Sequence, residues 1–160
     1  MSFKTVVVLG GGPIGLICAI EARQNFVKDV TIVEKRSAYT RPNVPQLPPE
    51  IVSHFKKIEV AKPLWQDRGR NVGDSVAFSR IEEELWKKAS TLGVKMLRGY
   101  ILEGLMGREK KKNGRYKSMG LTFREWDDKN KRTASGFESI SADLLILASG
   151  GGASGDPVIV

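Results

Sequence analysis

The sequence predicts an α/β fold built on a parallel sheet, and three observations carry that expectation. A short β-branched strand, Lys4–Leu9, runs straight into Gly10-Gly11-Gly12 and then Pro13. Strand, glycine turn, helix and a second strand at Val30–Glu34 fit within about 30 residues, the size of a βαβ unit. A last apolar run, Ala142–Ala148, again leads into a glycine-rich segment.

The first strand is TVVVL, short and β-branched, as a buried strand requires. The helix is expected over Pro13–Phe26. Proline suits its first turn, where a missing N–H leaves no bond unmade. Ile14, Ile17, Cys18 and Ala22 form the expected apolar stripe. A right-handed crossover makes the strands at 4–9 and 30–34 parallel neighbours. Pro42, Pro45, Pro48, Pro49 and Pro63 then forbid a long helix through the early part of 35–80, leaving room for a short one at Pro49–Lys57. Regularity returns at Ser79. Ser79 and Glu82 have capping-box spacing, with Ser79 as N-cap. Ile81, Leu85, Ala89 and Leu92 follow at helical spacing, Glu83–Lys87 and Glu84–Lys88 stand as i,i+4 pairs, and Gly93 ends the helix. A strand is expected at Val94–Leu97. Three further strands near 100–106, 115–126 and 133–141, separated by turns at Asn113-Gly114 and Asp127–Lys131, make a β-meander.

With 160 residues and 41% hydrophobic composition, one domain spanning 1–160 with a real core is expected. The single cysteine, Cys18, excludes an internal disulfide and reads as a small core residue. The absence of a C-x-x-C pair argues against zinc and dithiol chemistry. No signal-like opening and no run of 18 apolar residues is found, so a soluble cytoplasmic protein without a membrane partner is expected. The net charge of +8 is concentrated. Residues 107–132 hold ten Lys/Arg against four Asp/Glu, centred on the hairpin signal of Arg108–Lys117. A solvated hairpin tip is the simplest reading of that run, with an RNA or acidic protein surface as the alternative; nucleic acid is disfavoured. His54 has no partner set for a triad or a metal, and reads as a surface or packing residue. Trp65, Trp86 and Trp126 read as packing residues, although Trp65 lies in the long loop where a cofactor pocket would have its wall.

Gly10-x-Gly12-x-x-Gly15 carries the chemistry. The first glycine permits a tight turn, the second a close approach of backbone to pyrophosphate, and the third close packing of helix on strand. The first helical turn, Pro13-Ile14-Gly15, offers free N–H groups and partial positive charge to phosphates. Glu34 lies at the end of the second strand, 19 residues beyond Gly15, where an acid binds ribose hydroxyls. Its charge would repel the 2′-phosphate of NADP at this site. The site therefore predicts FAD or NAD, within a Rossmann-type parallel sheet with a β-meander crossover, the FAD/NAD(P)-binding fold.

VVVLGGGPIGLICAIEA and VTIVEKR resemble the FAD-binding opening of flavoprotein monooxygenases of the aromatic hydroxylase type. Glu34-Lys35-Arg36, Thr40-Arg41-Pro42-Asn43-Val44 and the helix FSRIEEELWKKASTLGV are similar to the MICAL-like branch. ADLLILASGG matches the family strand that returns to the cofactor, at Gly150. The resemblance implies the N-terminal part of a larger flavoprotein. In it, Lys35 and Arg36 lie beside the adenosine ribose, Arg41 and Asn43 reach the flavin side, and Arg80 approaches the pyrophosphate. It also implies NADPH as the electron donor of a complete enzyme and a small-molecule or protein substrate. No catalytic acid or base is assigned. A noncatalytic nucleotide-binding or interaction module, truncated and carrying a basic hairpin that binds an acidic partner, is the alternative. An NAD-dependent dehydrogenase would lack a recognisable substrate half.

Overall fold

The computed structural model describes residues 3–40, 49–60, 77–107, 118–127 and 129–148. Strands β1 (Thr5–Leu9), β2 (Asp29–Glu34), β3 (Lys95–Arg98) and β7 (Leu144–Leu147) form a parallel sheet in the order β3-β2-β1-β7. Strands β4 (Tyr100–Met106), β5 (Met119–Asp127) and β6 (Arg132–Ala142) form an antiparallel meander. Helices α1 (Pro13–Gln24), α2 (Pro49–Lys57) and α3 (Phe78–Thr91) complete the described elements.

β1 is buried on both faces, which is why its sequence does not alternate. Val6 and Val8 join the core under the helices, with Leu16, Ile20, Ile32, Ile81 and Leu85. Val7 faces the other way and joins Val33, Leu121, Phe123 and Ala142 under the meander. The sheet is thus the middle of three layers. Strand parity decides where chemistry can appear. Val30, Ile32 and Glu34 share a face, so the acid at the end of β2 points toward the helix layer.

The α/β architecture, the βαβ opening, the short α2 and the meander are as the sequence leads one to expect. Three local expectations are corrected. α1 buries Gly15, Leu16, Ala19 and Ile20, while Ile14 is 64% exposed and Cys18 is only half-buried. The missing Cβ of Gly15 turns that face inward, and apolar spacing alone did not identify it. α3 begins at Phe78 after Ala77, with no side chain capping it, so the Ser79–Glu82 capping box is not formed. Lys87 pairs instead with Glu84 at 2.6 Å and Lys88 with Glu59 at 2.8 Å, not with the predicted i,i+4 partners. His54, read as a surface or packing residue, is half-buried on α2 with its Nε2 3.4 Å from Glu21 on α1. The expected turn at Asn113-Gly114 and the basic run Arg108–Lys117 lie outside the described residues.

Candidate nucleotide site

The site begins where β1 turns into α1. Gly10 has φ 102°, a conformation that side-chain-bearing residues rarely adopt, and its N–H donates to the Val33 carbonyl at 2.8 Å. A Cβ on Gly15 would lie 1.9 Å from the Gly10 carbonyl oxygen, so helix and strand meet at a distance only glycine allows. At Gly12 the surroundings are open: a Cβ there would meet only Glu82 Oε1, at 3.9 Å. No side chain caps α1 at Gly12, and no acidic residue occupies its first turn. The N-terminal amides of α1 are therefore not claimed by a capping side chain, the arrangement that suits an anion.

Glu34 reaches this turn from the end of β2. It is 5% exposed. Its Oε2 accepts from the Gly11 N–H at 2.7 Å and from Arg36 Nη2 at 3.1 Å. Its Oε1 accepts from the Arg36 backbone N–H at 2.8 Å and from Arg36 Nε at 3.0 Å. Burial pushes the Glu34 carboxyl upward, but the hydrogen bonds and charge of Arg36, with the Gly11 amide, outweigh it and hold the group below its ordinary value. Arg36 is raised in turn, first by its hydrogen bond to Glu34 and further by the charges of Glu34 and Glu82.

Glu82 supplies a second carboxylate. It is fully buried on the first turns of α3, and its Oε1 accepts from Arg36 Nη2 at 3.2 Å. Arg36 thus bridges two buried acids beneath the glycine turn. Two of the atoms involved, Arg36 Nη1 and Glu82 Oε2, are buried without a hydrogen-bond partner.

Tyr39 closes one side. Its ring lies 4.3 Å from the Arg98 guanidinium carbon and 5.5 Å from that of Arg36, within cation–π range. Burial pushes its phenol up. A Cβ on Gly11 would lie 3.2 Å from the Tyr39 hydroxyl, so tyrosine and glycine turn are packed together.

Among the sequence-predicted site residues, Gly10, Gly12, Pro13, Ile14, Gly15, Glu34 and Arg36 gather at one turn. Lys35 is exposed and its ammonium lies 4.2 Å above the Trp126 ring on β5. Arg80 is exposed on the first turn of α3, two positions before Glu82. Arg41, Asn43 and Gly150 lie outside the described residues. Sequence reading missed Gly11, Tyr39, Arg98 and the role of Glu82. For Glu82 a signal existed: it stands three, four and seven positions before Leu85, Trp86 and Ala89, inside the buried stripe. A charge on that stripe demands a partner.

A groove of about 320 Å³ lined by Thr5, Asp29, Thr31, Lys95 and Glu138 lies elsewhere, and none of the glycine-turn residues borders it. Among the described residues no cluster has the composition of a metal site, and no helix is long and apolar enough to cross a membrane.

No protein-family model matches the chain. A stretch of 94 residues, 59% of this chain, is 33% identical to the [F-actin]-monooxygenase Mical of Drosophila melanogaster, and it corresponds to 2% of that protein. Aklavinone-11 hydroxylase, solved as a ternary complex with FAD and aklavinone, has a similar fold with a TM-score of 0.69 at 16% identity, over 89% of this chain and 32% of that one. CabE, an aromatic hydroxylase from angucycline biosynthesis, gives a TM-score of 0.66 at 20% identity, over 90% of this chain and 30% of that one. The chain therefore spans about a third of these solved structures and shares their fold, and it resembles the flavin-dependent monooxygenases.

Proposed function

We propose that this chain is the FAD-binding part of a monooxygenase-like flavoprotein oxidoreductase, holding the ADP half of the cofactor through Gly10, Gly12, Gly15 and Glu34. The observation that carries the reading is the meeting of a buried, ionised Glu34 with an uncapped helix N-terminus across a glycine turn in which Gly15 leaves no room for a side chain and Gly12 stays open. A pyrophosphate suits the N–H groups of α1, and a ribose diol suits the carboxylate. The similarity in fold to a hydroxylase solved with FAD supports the same assignment. Pro13, Ile14 and Arg36 at the turn belong to the same proposed site, and the proposal extends to Lys35, Arg41, Asn43, Arg80 and Gly150.

When bound, FAD would supply the chemistry of accepting a hydride, with NADPH as donor, and of activating oxygen. The chain's own part is to bind and orient. Visible absorption of the purified protein, with mass spectrometry of any released ligand, tests this directly. Bound or titratable FAD is expected; failure to take up flavin at any concentration contradicts the holo-protein reading.

A second reading is a nucleotide-binding module without turnover. It is favoured because the described residues of the site all surround the end that would hold ADP. It expects ADP to bind with no NADPH oxidation after FAD is added.

A further inference from the structure

An ionised carboxylate offers about four lone-pair positions. On Glu34 four donors occupy them: the Gly11 and Arg36 backbone amides, and Nε and Nη2 of Arg36. A vicinal diol brings two further O–H donors, so it can be seated only if donors leave. The two amides are fixed by the glycine turn and by the end of β2. The guanidinium is on a side chain that can turn.

The independent observation is the pair of orphaned atoms. Arg36 Nη1 is a buried donor without an acceptor, and Glu82 Oε2 is a buried acceptor without a donor. The two side chains already touch through Nη2 and Glu82 Oε1. A guanidinium turned to face Glu82 makes the two-pronged pair that satisfies both atoms. The same turn clears the Arg36 side chain from Glu34. The site keeps two carboxylates and one guanidinium, so no charge enters or leaves.

We propose that Glu82 is a positioning residue of the ribose site: it receives the Arg36 guanidinium when the vicinal diol of a ligand takes its place on Glu34. This rests on the reading that Glu34 binds ribose.

Calorimetric titration of the full chain with ADP and with 2′,3′-dideoxy-ADP separates the two ideas. Wild type is expected to bind ADP about tenfold more tightly than the dideoxy compound, the effect of one charge-assisted hydrogen bond or more. Glu82→Gln keeps the shape but loses the second acceptor oxygen. It is expected to weaken ADP about tenfold and leave the dideoxy compound within about twofold, so that discrimination collapses. Equal weakening of both ligands, or of neither, overturns the proposal while the ribose reading stands. Failure of wild type to distinguish the ligands overturns the ribose reading, and this proposal with it. If Glu82→Gln does not fold, the wild-type Arg36 Nε–H NMR resonance gives the same answer. A shift with ADP but not with the dideoxy compound supports the exchange; the same response to both contradicts it.

Discussion

Glu34 and Asp143 stand at opposite ends of the same parallel sheet and do similar things with different consequences. Asp143 precedes β7 at the sheet's N-terminal end, where its carboxylate accepts from the Lys4 and Thr5 amides at 2.8 and 3.1 Å and from the Ser118 hydroxyl at 2.8 Å. It joins the start of β1 to the residue that leads into β5. Glu34, at the C-terminal end of β2, is buried, shares an arginine with a second buried acid, and faces a helix N-terminus. Both carboxyls are held below their ordinary values. At Asp143 the causes are first the Ser118 hydroxyl and then the Lys4 amide. At Glu34 burial has to be overcome by a full positive charge. A half-exposed carboxylate satisfied by amides and a hydroxyl is a stitch. A buried one paired with an arginine beside a helix N-terminus stands where α/β sheets take their ligands, at the C-terminal ends of parallel strands.

The contrast can be broken most severely at Gly15. Gly15→Ala puts a Cβ 1.9 Å from the Gly10 carbonyl oxygen, and α1 must leave β1. A loss of about 3 kcal/mol in chemical denaturation is expected, with loss of ADP binding. Next is Arg36→Ala, which leaves Glu34 and Glu82 buried without their cation. About 3 kcal/mol is expected there too, and the triple variant Glu34→Met, Arg36→Met and Glu82→Leu, which removes the whole buried ionic group, should recover much of it.

Glu34→Gln sharpens the comparison through pH. Its folded-state value lies below the ordinary 4.5, so the folded chain binds fewer protons than the unfolded one. The stabilisation is complete above that ordinary value and disappears as pH falls through the folded one. The acid limb of the stability profile below about pH 4.5 should therefore flatten in Glu34→Gln, and ADP should bind more weakly at pH 7. Asp143→Asn is expected to cost about 1 kcal/mol and leave ADP affinity within about twofold, since it stands at the far end of the sheet. Smallest of all, Glu59→Gln should leave the melting temperature unchanged, because Glu59 meets Lys88 at the surface.

How much of this was legible in the sequence depends on which force acts. β1, the glycine turn and β2 were legible because periodicity, glycine spacing and the acid at position 34 agree. The β5–β6 part of the meander was legible because turn residues at Asp127–Lys131 divide its strands. The buried face of α1 was not, since a side chain that Gly15 lacks decides it. The start of α3 was misread for a related reason. Ser79 and Glu82 satisfy a local capping rule, yet Glu82 is taken up by a tertiary contact with Arg36, 46 residues away. Local rules see neither partner of that pair, and the site depends on it.

The most direct measurement of the central claim is a calorimetric and absorbance titration of the 160-residue chain with ADP, 2′,3′-dideoxy-ADP and FAD. Saturable binding of ADP and FAD, competition between them, and about tenfold weaker binding of the dideoxy compound are expected if Glu34 reads a ribose diol beside the glycine turn. Absence of ADP binding, or equal affinity for ADP and its dideoxy form, would contradict it.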